Sequence, residues 1–581
     1  MPKTATRGKR RVRTFAISAN RKTVIGCAPG SKMRSFGSKL LTPACYLRSA
    51  QMATGVVLIG SVFWWLQFST PSICCGDFDG YYHIKWSQLL WNGLRNGHFA
   101  PAFTWLPLTT LNPSRYADQH FLYHILLIPF TWFGDLRVGA KLATALFGTV
   151  AVLSLYWLVL RYRIHYPVLW LLALLGCSWL FYARLNMTKA QSISILFIVV
   201  GIVLLFERRY IWLLPTAFLY VWTYNLFVIL GVLSLIWVGV VWWSEQRTEW
   251  RPLLWTGLGT ATGFVIHPYF PNNVRLFFEH IIAKSGQASM PAGVGFEWYS
   301  FSSWAFLKSS LIASTAMIVG YIAFGYGLSR GDRIRLQRPL LFLLFSSVLL
   351  LITIRSIRFM EYWPPFAVLF AAFALQAVWD SECRSPHLLR QAGENLHSVP
   401  AGLDDVEEPK GKRNGGPRRT QDVIAIALVL AILSFYSLCT TRAIIDHVTV
   451  GPEHYRAGAE WLRNNVPRGT LIYDVNWSDF PKLFFYDASH NYVSGLDSLY
   501  LLDQHPELAQ LNERLSRREE EDPAAAIRSL FGASNPAGVS YIFVGDRPAP
   551  PSPEWLRYIM KTGKFQTVYE DNECMILHVL D

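Results

Sequence analysis

The residues best suited to chemistry lie between apolar stretches. Asp77-Phe78-Asp79-Gly80-Tyr81-Tyr82-His83 sets two carboxylates at spacing two directly after the first apolar run. Hard carboxylate oxygens so placed can hold a divalent cation, either acid can take a proton from an attacking group, and either can cap the helix that follows. Asp118, His120 and His124 put two imidazoles at i, i+4 on one helical face, a spacing that suits a metal but has no identifiable further ligand. Arg184-Leu185-Asn186-Met187-Thr188-Lys189 offers two cations for anionic groups, or for anchoring a helix end at an interface. Glu297, in VGFEWYSFSSW, follows a strip containing Gly and Ser, the composition of a loop that closes over a substrate. Arg358, in RSIRFMEYWPPF with Arg355 and Glu361, can grip a phosphate or carboxylate bidentately, or lipid headgroups.

The elements that position these residues are written in the composition. Of 581 residues 52% are hydrophobic, 15% aromatic and only 16% charged, with mean hydropathy +0.24. This excludes a disordered, fibrous or ordinary cytosolic chain and points to a polytopic membrane protein. The formal charge of +15 would suggest nucleic acid in a soluble chain. Its placement argues otherwise: residues 1–49 hold 12 Lys and Arg and no acid, whereas residues 446–581 hold 12 basic and 20 acidic residues. No nucleic-acid partner is expected. The spacing predicts eleven spans, at 52–69, 139–160, 166–183, 190–206, 210–224, 226–243, 253–270, 306–328, 339–354, 360–378 and 422–440. With the basic arm 1–49 inside, the inner loops become 161–165, 207–209, 244–251, 329–338 and 380–421, and each contains arginine, as the positive-inside rule requires.

The loops 70–138 and 271–305 are then extracytoplasmic, with surface helices expected over 81–94 and 121–133. Residues 50–379 form the membrane core, 380–421 a cytoplasmic linker and 422–441 the last span. The remaining 442–581 reads as an extracytoplasmic α/β domain, with strands at TLIYDV, NYVSGL and VSYIFVGD and helices at YRAGAEWLRNNV, PELAQLNERLSRREE and PEWLRYIMKTG. The expected location is the cell membrane, multi-pass, with a cytoplasmic N-terminus.

Taken together, DGYYHIKWSQLL after the first span, the outer loop that begins with Arg184, the flexible loop with Glu297 and RFMEYWPPFAVLFAAF resemble the catalytic subunit of oligosaccharyltransferase. That family belongs to the GT-C glycosyltransferases, membrane enzymes that use polyprenyl-phosphate or pyrophosphate sugar donors. The resemblance implies a GT-C fold of about 11–13 transmembrane helices with a C-terminal α/β domain, and inverting transfer to a peptide or glycan acceptor. It places the catalytic acid on Asp79, seconded by Asp77, with the gating-loop glutamate on Glu297 and the peptide-site arginine on Arg358. Tyr81, Tyr82, His83, Arg184 and Lys189 fall on the substrate. A divalent cation, Mg²⁺ or Mn²⁺, would rest on Asp79 and Glu297.

The family's WWDYG motif falls on Trp477-Ser478-Asp479-Phe480-Pro481, with Ser for the second Trp and Phe-Pro for Tyr-Gly. Its second acidic pair is absent, RLNMTKAQS standing in that place. A non-catalytic scaffold and a lipid-linked sugar transporter are the rival readings. Against the transporter stands the near absence of acids from the spans.

Overall fold

The computed structural model describes residues 43–75, 78–282, 295–331, 333–396, 417–530, 541–545 and 553–580. Asp77 and most of the flexible strip before Glu297 lie outside these. Arg48–Asp581 forms one compact unit. Each of the eleven apolar stretches is helical, because Leu-, Ile- and Val-rich runs in an apolar medium satisfy their backbone only within the helix. The long ones are α1 (Pro43–Phe68), α4 (Leu136–Arg161), α9 (Val228–Glu245), Leu311–Ser329, Gln337–Arg355, Trp363–Leu396 and Pro417–Val448.

Among the described residues, six helices are long and apolar enough to cross a membrane, or seven if one bent pair is a single span. The difference from eleven has local causes. α5 (Pro167–Leu175) and α6 (Trp179–Leu185) meet at 74°. Gly176 fills the break, where an added Cβ would stand 2.4 Å from Ser434 Oγ, and Ser178 Oγ caps α6 by accepting from Phe181 N at 3.3 Å. α7 (Gln191–Phe206), α8 (Leu213–Thr223) and α10 (Arg251–Val265) are shorter pieces. Trp363–Leu396 continues into the stretch expected to be a linker, where Leu, Arg, Gln, Ala and Glu favour helix.

The loops sort into two groups. Arg161 pairs with Glu207 at 2.7 Å, Arg208 with Glu245, Gln337 donates to Glu245 at 2.7 Å, and Arg338 lies 4.5 Å over the Tyr162 ring. Four of the five loops read as inner thus meet one another. The alternate loops meet at the other group, around α2 (Asp79–Arg95) and α3 (Phe121–Leu127). Both expected surface helices form there; of the side expected from the spacing of Ile84, Leu89, Leu90 and Leu94, α2 buries Ile84 and Leu90, and it buries Tyr81, Tyr82 and Trp86 as well. The aromatic rings are buried in addition because the C-terminal domain packs onto them: Tyr81 meets Phe485 edge-on at 5.1 Å.

That domain holds β1 (Leu471–Asp474), β2 (Asn491–Tyr492), β3 (Tyr541–Gly545), β4 (Phe565–Glu570) and β5 (Cys574–Val579) in the order β2-β1-β3-β5-β4. β1 runs parallel to β2 and β3, while β5 is antiparallel to β3 and β4. The three sequence-read strands and three sequence-read helices are present. β4 and β5 were not expected, since their alternation is interrupted by a register shift at Thr567–Tyr569.

Candidate active site

Seven separated stretches wall one cavity of about 140 Å³. α2 supplies Asp79, Tyr82 and His83, which share a face at i, i+3, i+4. Its first turn is pressed onto the bundle at Gly80, where an added Cβ would lie 2.8 Å from Ile73 Cγ2 and 3.1 Å from Thr188 Cβ. That close approach lets Lys189 Nζ reach Asp79 Oδ2 at 2.9 Å. Lys189 is in turn fixed by its loop: Gln67, buried on α1, donates to Asn186 O at 2.7 Å and to its Oδ1 at 2.8 Å, and Thr188 shares a hydroxyl bond with Thr144 at 2.8 Å.

Glu297, Trp298 and Arg358 form another wall, with Tyr224, Asn225, Asp497 and Tyr500. Glu297 Oε2 accepts from Arg184 at 3.1 Å and Oε1 from Arg358 at 3.2 Å. Arg358 also donates to the Tyr224 hydroxyl at 3.0 Å, which donates to Glu361 Oε1 at 3.2 Å, and Glu361 Oε2 returns to Arg184 at 3.2 Å. The result is a closed ring of five side chains with two cations and two carboxylates. Burial pushes the Glu297 carboxyl up, but the cations of Arg184, Arg358 and Lys189 outweigh it and hold the group well below the usual range. Arg358 also stacks 4.9 Å over Trp298, so it holds both Glu297 and its neighbour.

On the third wall Asp118 accepts from Trp86 Nε1 at 2.9 Å and from His124 Nδ1 at 2.6 Å, and His124 Nε2 meets His83 Nδ1 at 2.7 Å. Burial, with His124 and Asp118 opposing one another, drives His120 down to about 3.

Of the residues expected at the site, Asp79, Tyr82, His83, Lys189, Glu297 and Arg358 line the cavity, and Arg184 stands behind Glu297. Tyr81 points to the C-terminal domain, where Lys482 lies 5.0 Å over its ring. Asp479 is buried against the Tyr455 hydroxyl at 3.3 Å, and neither it nor Trp477 lines the cavity; that domain contributes Leu496, Asp497 and Tyr500 instead. Asp77 lies outside the described residues. Tyr224 and Tyr500 gave no sequence signal, while Glu361 was visible beside Arg358 but nothing tied it to Arg184.

The carboxylates do not suit a divalent cation. Asp79 is engaged by Lys189, Glu297 by two guanidinium groups and Asp118 by Trp86 and His124. Among the described residues no three His, Cys, Asp or Glu side chains gather as ligands. What the arrangement can do is present fixed cations beside carboxylates in a partly enclosed site, which favours stabilising a departing anion.

No family model and no curated protein matches this sequence. Solved structures do match. The Archaeoglobus fulgidus oligosaccharyltransferase in the apo form superposes with TM-score 0.55 at 12% identity, over 86% of this chain and 70% of that one. The same enzyme tethered to an acceptor peptide containing the NVT sequon gives TM-score 0.51 at 12% identity, over the same shares. ArnT from Cupriavidus metallidurans bound to undecaprenyl phosphate gives TM-score 0.51 at 13% identity, over 91% of this chain and 98% of that one. The helical bundle followed by a C-terminal α/β domain is thus a fold this chain shares with these solved structures.

Proposed function

We propose that this chain is a membrane glycosyltransferase that moves a sugar or oligosaccharide from a polyprenyl-phosphate or pyrophosphate donor to an acceptor at the extracytoplasmic face. The observation that carries this reading is the convergence of Asp79, Glu297, Lys189 and Arg358 on one cavity. Asp79 orients the acceptor for attack on the anomeric carbon. Lys189 and Arg358 receive the negative charge that develops on the departing phosphate, and fixed cations in a site of low dielectric cost little reorganisation at that moment. Glu297, held between two arginines, keeps the loop above the cavity in register. The likeness to an enzyme bound to undecaprenyl phosphate supports a lipid-linked donor, and the likeness to one tethered to an acceptor peptide supports a peptide as one acceptor class.

The apolar side chains left exposed on Pro417–Val448, among them Ile424, Leu428, Ile432 and Phe435, support a lipid-facing bundle. The segregation of arginine-bearing loops supports a cytoplasmic N-terminus and an extracytoplasmic C-terminal domain.

Two measurements test the proposal. Mass spectrometry of lipid that co-purifies in detergent should find a polyprenyl-linked saccharide. Asp79→Asn should insert and fold as the parent does and lose transfer by two or more orders of magnitude. A variant that transfers normally would remove the proposed centre.

A further inference from the structure

Three buried groups at the third wall of the cavity are not used by the reading above: Asp118 and His83 line it and His124 lies between them. Asp118 is 2% exposed and His124 0%, and the two are joined by the 2.6 Å contact from His124 Nδ1 to Asp118 Oδ2. Asp118 is further fixed by the Trp86 indole and by the backbone N–H of His120 at 2.9 Å. An ionised carboxylate only accepts, so Nδ1 of His124 carries a proton, and in the neutral imidazole the other nitrogen, Nε2, is then bare. His83 Nδ1, 2.7 Å from that bare nitrogen, must therefore donate. The consequence passes to the last atom of the chain. His83 Nε2 is left unprotonated, it has no hydrogen-bond partner among the described residues, and His83 lines the cavity four residues from Asp79 on the same face of α2.

We infer that Asp118, His124 and His83 form a proton relay and that His83 Nε2 is the atom that accepts the acceptor's proton during transfer. The inference rests on the glycosyl-transfer reading and deepens it: Asp79, engaged with Lys189, orients the acceptor, and the proton goes elsewhere. The step balances. As the acceptor's heteroatom bonds to the anomeric carbon, its bond to hydrogen breaks and the hydrogen passes to His83 Nε2. The Nδ1–H bond of His83 breaks and a new N–H forms on His124 Nε2. The anomeric carbon–oxygen bond to phosphate breaks, its electron pair leaving on the phosphate oxygen. The positive charge thus finishes on His124 against the Asp118 carboxylate, away from Lys189. Asp118 and His124 are positioning residues, and His83 alone would touch substrate. A supporting sign is that burial holds His83 well below its ordinary pKa, so the ring is neutral and its lone pair is available.

The test uses the full chain in nanodiscs. Nitrogen-15 NMR of histidine-labelled protein, without any ligand, should find His83 bare at Nε2. Asp118→Asn should reverse the tautomers, because the amide can donate to His124 Nδ1. With an undecaprenyl-phosphoryl hexose as donor probe, His83→Gln should lower turnover about a hundredfold or more, Asp118→Asn by up to about 10⁴-fold, and added imidazole should restore part of the turnover of His83→Ala.

A proton on His83 Nε2 in the parent protein, or a His83→Gln variant that turns over at the parent rate, would overturn the relay. If Asp79→Asn is inactive while His83→Gln is not, the relay falls and the transferase stands. If the parent transfers nothing from any donor, the transferase reading falls while the NMR still decides the tautomer.

Discussion

Replacing Glu361 with Gln should be one of the most damaging single isosteric changes in the molecule. The carboxylate is fully buried, faces Arg184 at 3.2 Å and accepts from the Tyr224 hydroxyl at 3.2 Å. At an effective dielectric of about 20, two unit charges at that separation attract by roughly 5 kcal/mol. Removing one member of a buried pair costs about 3–5 kcal/mol, because the partner is left charged in a poor solvent. Gln can still accept from Tyr224, so the expected loss is near the lower end, about 3 kcal/mol. Deleting Arg184 as well restores neutrality, and the Arg184→Gln/Glu361→Gln pair should cost about 1–3 kcal/mol less than the two single losses added. The control is Glu279→Gln, whose partner Arg275 is an exposed i, i+4 neighbour, with an expected effect of about 0–0.5 kcal/mol. The assay is reversible unfolding in mixed micelles, followed by the fluorescence of the 23 tryptophans. A Glu361→Gln variant as stable as the Glu279 control, or an additive double variant, would show that the ring is not a coupled unit and that its charges are solvated.

Gly80→Ala adds a methyl group where Ile73 stands at 2.8 Å, so α2 must lift from the Thr188 loop; transfer should fall at least tenfold while the far-ultraviolet circular dichroism stays unchanged. The Glu297 carboxyl is depressed in the folded chain, so its contribution to stability is complete above the unfolded value of about 4.3 and is lost as pH falls through that value toward the folded one. Acid titration of Glu297→Gln should accordingly be flatter than the parent below about pH 4.3, and parallel curves would contradict the ion pairs drawn for it. Because Asp79 and Glu297 are already neutralised by side-chain cations, turnover should survive dialysis against a chelator, and recovery only on adding Mg²⁺ or Mn²⁺ would show that the carboxylates open to a metal.

Local order was legible in the sequence because its causes are local. Runs of Leu, Ile and Val specify helices in an apolar solvent, arginine sorts the loops, and TLIYDV or VSYIFVGD declares a strand within a few residues. The same reading singled out Asp79, Lys189, Glu297 and Arg358, since charged side chains are conspicuous where apolar ones prevail. Asp118, His120 and His124 are visible too, but their spacing suits either a metal or an amphipathic surface, whereas in the fold His124 joins the Asp118 carboxylate to His83. The WWDYG-like stretch points the other way: Trp477 and Asp479 resemble the family's motif in order, yet neither lines the cavity, to which the same domain contributes Tyr500 and Asp497.

What only the tertiary structure decided is which of these charges meet. Arg184 and Glu361 stand 177 positions apart in the chain, and no periodicity of 2 or 3.6 residues carries information over that distance. Their pairing follows from the 74° bend between α5 and α6, from a helix end that brings Tyr224 into reach, and from the Gly80 contact that lowers α2 onto Lys189. Those are packing outcomes, set by shape at several remote contacts together, and packing is the part of the physics that a linear string leaves implicit.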